Sequence, residues 1–251
     1  MQISDTKAVI TGAASGLGEA TARHFASLGA QVTLLDRDTE RGKVVAEGIN
    51  GTFVETDVTD EASVKAAIEA AKNAMGGINA AVNCAGIAPA SKTVGRDGAH
   101  PLGLFQKTID INLVGSFNVA RLAAEAMTEN APEADGARGV IINTASIAAM
   151  DGQKGQAAYA ASKGGIVGLS LPMARDLARS GIRVMAIAPG IFKTPMLIGL
   201  GQEIMDGLAK DVTCPPRLGE PTEYARLAAF IVECGYLNGE VIRLDGALRM
   251  Q

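Results

Sequence analysis

Two hydrophobic patterns alternate along the chain. Short, almost wholly apolar runs recur as "KAVITG", "QVTLLD", "GTFVETDV", "INAAVNCAG", "GVIINTAS", "IRVMAIAPG" and "EVIRLDG". Between them lie longer stretches whose apolar residues return every three to four positions. The first pattern predicts strands buried on both faces, the second helices laid on a sheet. Helices are expected over "GLGEATARHFASLG", "RDTERGKVVAEGI", Glu61–Met75, a long segment from Gly103 through "QKTIDINLVGSFNVARLAAEAM", Gln156–Ala178 and "PTEYARLAAFIVE". Seven strands alternating with helices predict an α/β fold: one Rossmann-like, doubly wound parallel sheet with right-handed crossovers and helices on both faces. No linker, repeat or low-complexity tract divides the chain, so residues 1–251 are read as one domain.

Three segments break the periodicity: Ala88–Leu102, Glu129–Arg138 and Ile191–Arg217. Ligands of such sheets bind beyond the carboxyl ends of the strands. The first and third segments follow strands and belong at that edge. Glu129–Arg138 lies between a helix and a strand and belongs at the opposite one.

Composition narrows the classes. The formal net charge of −4 has both signs interspersed and no basic block, which argues against nucleic acid as a partner. No apolar run is long and clean enough to span a bilayer. The start "MQISDTKAVITG" enters a strand-like run at once, without a basic leader, so the expected location is cytoplasmic. Three widely spaced cysteines, Cys84, Cys214 and Cys234, suit a reducing compartment. With only His24 and His100 beside them, no metal site is expected.

The chemistry concentrates in a few stretches. "TGAASGLG" joins the first strand to the first helix, with Gly12, Gly16 and Gly18 spaced GxxxGxG. Glycines there let a pyrophosphate approach the backbone at a helix N-terminus, where free N–H groups favour an anion. An ordinary Gly-rich turn is the alternative for a lone match, but the strand–loop–helix context is present. Asp36 ends the second strand, where a carboxylate can accept from ribose hydroxyls and repel a 2′-phosphate, selecting NAD over NADP. Arg37 beside it points the other way. Asp57 and Val58 follow the third strand and are placed to reach the adenine; capping the next helix is the other use for Asp57. Tyr159 and Lys163 lie four residues apart, on one helical face. A phenol beside an ammonium is either a proton-transfer device or a solvated pair. Ser146 ends the strand before that helix, and Asn112 lies in the preceding long helix.

Together these motifs resemble the short-chain dehydrogenase/reductase family: "TGAASGLG", "DV" at Asp57, "NCAG" at Asn83–Gly86, Asn112, Ser146, "YAASK" at Tyr159–Lys163 and "PG" at Pro189–Gly190. The resemblance implies an NAD-dependent oxidoreductase. Tyr159 is implied as general acid/base, Ser146 as the hydrogen-bond partner of the substrate oxygen, and Lys163 as the group that ionises Tyr159 and binds the nicotinamide ribose. Asn112 is implied to hold a water linking Lys163 to solvent. A tyrosine of ordinary pKa ~10 needs on the order of 3–4 kcal/mol of preferential phenolate stabilisation to act as a base near neutral pH. Ser15 and Leu17 are implied at the pyrophosphate, Cys84 along the adenosine ribose, and Phe192 and Thr194 over the carboxamide. Cys84 has an equal claim as a buried small apolar residue.

Longer stretches, among them "VNCAGIAPASKT", "GIRVMAIAPGIFKTPM" and "LNGEVIRLDGALRMQ", resemble the family branch that oxidises 3-hydroxyacyl-CoA to 3-oxoacyl-CoA with NAD. That branch accepts some steroid alcohols and forms homotetramers. It implies an acyl-CoA substrate and a role in fatty acid metabolism. Ile191–Arg217 is then a substrate lid, with Met196, Leu197, Ile198, Leu200 and Met205 apolar enough for an acyl chain or for packing on the core. The segment "VGRDGAHPLG" and the lid beyond Thr194 depart from the branch. Other family dehydrogenases, acting on a steroid or another secondary alcohol, and a non-catalytic nucleotide-binding scaffold are the rival readings. Pro172 is expected to kink or locally unbond the Tyr/Lys helix.

Overall fold

The structure, a computed structural model, describes residues 1–198 and 201–250, excluding the side chains of residues 196 and 204. Four strands come first: β1 (Lys7–Thr11), β2 (Gln31–Asp36), β3 (Thr52–Glu55) and β4 (Ala80–Asn83). A small antiparallel hairpin follows, β5 (Val94–Gly95) and β6 (Gly98–Ala99), and then β7 (Gly139–Thr144), β8 (Ile182–Pro189) and β9 (Val241–Leu244). All but the hairpin form one seven-stranded parallel sheet in the order β3-β2-β1-β4-β7-β8-β9.

Successive residues of a strand face opposite ways, and here both faces are covered. Ala8, Ile10, Val32, Leu34, Val82 and Ile142 pack under α1 (Gly16–Ser27), α2 (Thr39–Gly48) and α10 (Pro221–Glu233). Val9, Leu35, Ala81, Ile141 and Val184 pack under α3 (Glu61–Met75), α5 (Gly115–Thr128) and α7 (Ala157–Asp176). That double burial is why the strands read as continuous apolar runs.

Local chemistry sets the helix ends. The Asp38 carboxylate accepts the Arg41 N–H at 3.1 Å and starts α2. The Asp60 carboxylate accepts the Ala62 N–H at 2.9 Å and starts α3, so Asp57 is not the cap. Gly76, at φ 67°, closes α3 in the left-handed conformation.

Three elements differ from the sequence reading. The long central helix is two, α4 (Leu102–Ile109) and α5, joined by a π-helical turn over Asp110–Val114 in which the Gly115 N–H reaches the Asp110 carbonyl. The segment Ala88–Leu102 contains the β5/β6 hairpin, and Ile191–Arg217 contains α8 (Pro195–Ile198) and α9 (Gln202–Ala209). α7, read as helical with Pro172 inside, runs from Ala157 to Asp176.

Strand β1 has β2 on one side and β4 on the other, and successive crossovers leave in opposite directions there. This switch point opens a crevice beyond the carboxyl ends of β1 and β4. The segment after β4 is pinned at that edge by the Ser91 N–H on the Gly155 carbonyl at 2.9 Å, just before α7. Residues 129–138 lie at the other edge, where Arg138 N–H bonds Gly181 O at 2.7 Å ahead of β7.

Candidate active site

The loop after β1 is shaped by close approaches. Gly12 and Gly16 have φ of 64° and 58°, a region costly to side chains. A Cβ on Gly12 would lie 2.8 Å from the Ala85 nitrogen, so this loop rests directly on the chain leaving β4. A Cβ on Gly18 would collide with the Gly12 carbonyl. Thr11 locks the two strand ends together, its Oγ1 accepting the N–H groups of Cys84 and Ala85, each at 3.1 Å. Ser15 stands at the N-cap of α1 with no side-chain cap bond, and Leu17 packs on the core beneath. Replacing Gly18 by Ala is therefore expected to weaken NADH binding by roughly 5- to 150-fold, since overpacking of ~1–3 kcal/mol falls on the loop itself. An unchanged dissociation constant in a fluorescence titration would separate the loop from nucleotide binding.

At the end of β2, one Asp36 oxygen accepts the Ala14 N–H and the other the Asp38 N–H, both at 2.9 Å. The carboxylate is thereby aimed across the loop, with lone pairs to spare. Asp57 accepts from the Thr59 N–H and hydroxyl, at 3.0 and 2.7 Å; these bonds, more than Arg37 at 3.7 Å, hold its carboxyl below the ordinary range. Val58 is core: it is buried, and a Cβ on Gly115 would meet its Cγ2 at 2.6 Å. Phe192 is likewise buried against Gly219. The Thr194 Cγ2 would lie 3.5 Å from a Cβ on Gly16, so the base of the Ile191–Arg217 segment already touches the glycine loop.

The chemical group is assembled from β7, α7 and the π-helical turn. Ser146, buried just beyond β7, hydrogen-bonds the Tyr159 phenol. Burial pushes that phenol up, and the Ser146 bond opposes the shift. Lys163, buried one turn along α7, donates from Nζ to the Thr144 carbonyl at 2.7 Å and lies 5.9 Å from the Tyr159 ring centre. Burial brings its pKa down to about 8. The implied lowering of the phenol by Lys163 is thus not a property of the protein alone, because desolvation outweighs the pull of a distant ammonium.

Asn112 is fully buried in the π-helical turn. Its Oδ1 accepts the Ile87 N–H at 2.8 Å, while Nδ2 donates to Ile87 O and Ser162 Oγ at 2.9 and 3.0 Å. Its carbonyl accepts the Ser116 hydroxyl at 2.8 Å. These protein contacts make Asn112 the brace between the β4 end and α7, and each of its two oxygens keeps a second lone pair. A Cβ on Gly86 would lie 3.1 Å from Asn112 Oδ1 and 3.7 Å from Lys163 Nζ, so these three meet at one point. The Cys84 Sγ is 3.7 Å from both Tyr224 Oη and Thr144 Oγ1, and burial pushes its thiol up. Its side chain packs against these two hydroxyls at the end of β4.

Sequence reasoning passed over Thr144 and gave no role of their own to Thr11 and Gly86, which it quoted within motifs. Two of them were signalled by a polar residue ending an apolar strand, Thr11 in "AVIT" and Thr144 in "VIINT". Leu200 lies outside the described residues, as does the Met196 side chain. Leu197 and Met205 are half-buried and Ile198 is exposed. Among the described residues no three His, Cys, Asp or Glu side chains gather as metal ligands, and no helix is long and apolar enough to cross a membrane.

A glycine loop at a switch point, with a serine, tyrosine and lysine across the crevice, defines a class of oxidoreductases. The family model for short chain dehydrogenase matches residues 6–205, and the chain belongs to that family. It is 55% identical to the human protein "3-hydroxyacyl-CoA dehydrogenase type-2" over 248 residues, covering 97% of this chain and 95% of that one. The Drosophila melanogaster protein of the same name is 53% identical, with 99% of each chain covered. The crystal structure of 3-hydroxyacyl-CoA dehydrogenase type-2 from Mycobacterium avium superposes with a TM-score of 0.93 at 47% identity, covering 97% of this chain and 96% of that one.

Proposed function

We propose that this enzyme interconverts 3-hydroxyacyl-CoA and 3-oxoacyl-CoA with NAD, Tyr159 acting as general acid/base. The similarity over nearly the whole chain to relatives named for that activity carries the substrate class. Asp36 carries the nucleotide: its carboxylate faces the glycine loop, while the neighbouring Arg37 is turned to Asp57 instead of toward a 2′-phosphate. The cradle fits a dinucleotide: Gly12 and Gly18, where a Cβ would strike the backbone of Ala85 and Gly12, hold the loop tight at the N-terminus of α1, where free N–H groups favour an anion. Gly12, Ser15, Gly16, Leu17, Gly18, Asp36, Asp57, Lys163 and Thr194 would hold it, with Cys84 contributing backbone and Val58 and Phe192 supporting from the core.

The bound nicotinamide supplies the hydride. The protein supplies position and the proton. In reduction, Tyr159 donates its phenolic proton to the ketone oxygen while Ser146 hydrogen-bonds the same oxygen. A raised phenol keeps that proton available at neutral pH. Lys163 anchors the ribose and, with the oxidised ring's charge, favours the phenolate needed for the reverse direction.

The whole chain acts as one NAD-binding unit with residues 191–217 as its lid. Two lid cations are spent at the lid's root: Lys193 pairs with Glu220, and Arg217 binds Glu223 through both nitrogens at 2.8 and 2.9 Å. That fork, before the Glu220 N–H, holds Glu223 down at about 2. Lys92, Arg96 and Lys154 are exposed, with no ion pair among the described residues, and flank the Ser91–Gly155 contact at the mouth. Their charge suits a polyphosphate-bearing thioester. A homotetramer accords with exposed Val114, Phe117 and Leu171 on and beside α5 and α7, and we place the enzyme in cytoplasmic fatty acid metabolism.

Initial rates of NADH oxidation with acetoacetyl-CoA, run beside NADPH, test the reading. Turnover with NADH and little with NADPH is expected. Turnover equally fast with NADPH removes Asp36 as selector. NADH binding without turnover sends the substrate search to steroids and other secondary alcohols.

A further inference from the structure

The last residues of the chain contain a strained turn that the chemistry above does not use. Gly246 and Ala247 follow one another at φ 58° and 65°, and Ala247 is one of two non-glycine residues described in that region. The Asp245 side chain holds the turn, its Oδ1 accepting the Ala247 N–H at 3.0 Å. Arg243 holds Asp245 in turn, Nε to Oδ2 at 2.8 Å. The same guanidinium reaches two further points: Asp151 Oδ2 at 2.7 Å and the Leu248 carbonyl at 3.1 Å.

Each end of this network touches a different part of the site. Asp151 closes α6 (Ala148–Asp151), which begins where Ser146 Oγ accepts the Ala148 N–H at 3.1 Å. It therefore sits on the connection between Ser146 and Tyr159. On the other side, the Gly246 carbonyl accepts the N–H groups of Thr213 and Cys214, both at 3.1 Å, near the far end of the lid segment. Leu248 is buried between Ile147, the neighbour of Ser146, and Val212 of the lid segment.

We propose that Arg243 is a positioning residue, and that the turn it fixes, Asp245–Leu248, sets the far end of the lid in register with the Ser146 loop. This rests on reading residues 191–217 as the lid. A planar fork suits the task because one guanidinium meets Asp151, Asp245 and a carbonyl from two nitrogens in fixed directions, whereas an ammonium donates from a single nitrogen that fixes no direction.

Two measurements on Arg243→Gln, Arg243→Lys and Asp151→Asn test it. The first is steady-state turnover of acetoacetyl-CoA, normalised to NADH-binding sites. Arg243→Gln is expected to lower kcat at least ~10-fold and raise the KM for acetoacetyl-CoA at least ~5-fold, with the NADH dissociation constant within ~2-fold. Arg243→Lys should recover part of the loss, and Asp151→Asn should shift the same parameters in the same direction. Mere loss of folded protein changes neither parameter per NADH-binding site. The second is amide hydrogen exchange in the absence of substrate: Arg243→Gln should speed exchange together at residues 147–151 and 212–214, leaving β1 and β4 protected. If wild type ignores acetoacetyl-CoA, the substrate reading fails while the exchange result still decides this proposal. Unchanged kinetics per site, or faster exchange in only one of the two segments, overturns it. Should Arg243→Gln not fold, Asp151→Asn is read by both measurements with the same expectations.

Discussion

Tyr159→Phe is expected to cut turnover with acetoacetyl-CoA by roughly 10²–10⁴ while leaving NADH affinity within ~3-fold. The substitution removes one oxygen. It keeps the ring that packs near Lys163 and leaves α7 without a new cavity. What is lost is the proton donor and its bond to Ser146. Reduction needs the protonated phenol and oxidation the phenolate. With the phenol raised by burial, reduction should persist to high pH and fall as the phenol ionises, while oxidation rises through the same interval. Single-turnover kinetics and an NADH titration check both halves. If Tyr159→Phe keeps turnover, Tyr159 is not the general acid/base.

Lys163→Met is expected to destroy activity, by at least ~10²-fold, and at the same time to raise the melting temperature at pH 7. The side chain is buried, and desolvation brings its pKa from 10.5 to about 8. Below about 8 both the folded and unfolded chains carry the ammonium, and the folded one bears the full cost of burying it, on the order of 3 kcal/mol. Between about 8 and 10.5 the unfolded chain binds the proton that the folded chain has lost, so stability rises with pH. The variant lacks that dependence. Its advantage should therefore be largest at pH 7 and shrink toward pH 10, as thermal unfolding at both values would register. A variant that melts below wild type at pH 7 would mean that the bond from Nζ to the Thr144 carbonyl, 2.7 Å long, outweighs the desolvation. The expected pattern is that of a functional group retained at a stability cost.

The two results together separate chemistry from binding. In the proposed complex Tyr159 and Ser146 both address the substrate oxygen, whereas Lys163, whose Nζ bonds the Thr144 carbonyl of β7, addresses the ribose. Loss of turnover in both, with NADH affinity weakened only in Lys163→Met, is the combination that matches this division. Asn112 then acts on both from behind, because its amide ties the Ile87 backbone to Ser162, the residue between them in space and sequence.

The chain's hydrophobic pattern by itself determined the sheet, its parallel pairing and the edge at which the site lies. Doubly buried strands must be apolar on every residue, and a parallel strand must be followed by a crossover. It also determined the glycine loop and the Tyr159–Lys163 pair, since helical periodicity and left-handed turns are local matters. Tertiary structure decided what depends on contacts between distant residues. The π-helical turn at Asp110–Val114 comes with Asn112 bonding to Ile87 and Ser162, neither of them near it in sequence. Val58 and Phe192 read as cofactor contacts, and their packing against Gly115 and Gly219 is decided by the tertiary structure. In the chain by itself burial pushes the Tyr159 phenol up, because desolvation is a property of the assembled interior and not of a four-residue spacing. Arg243 carries no motif at all. Its meaning appears only when β9 brings it beside Asp151, 92 positions earlier in the chain.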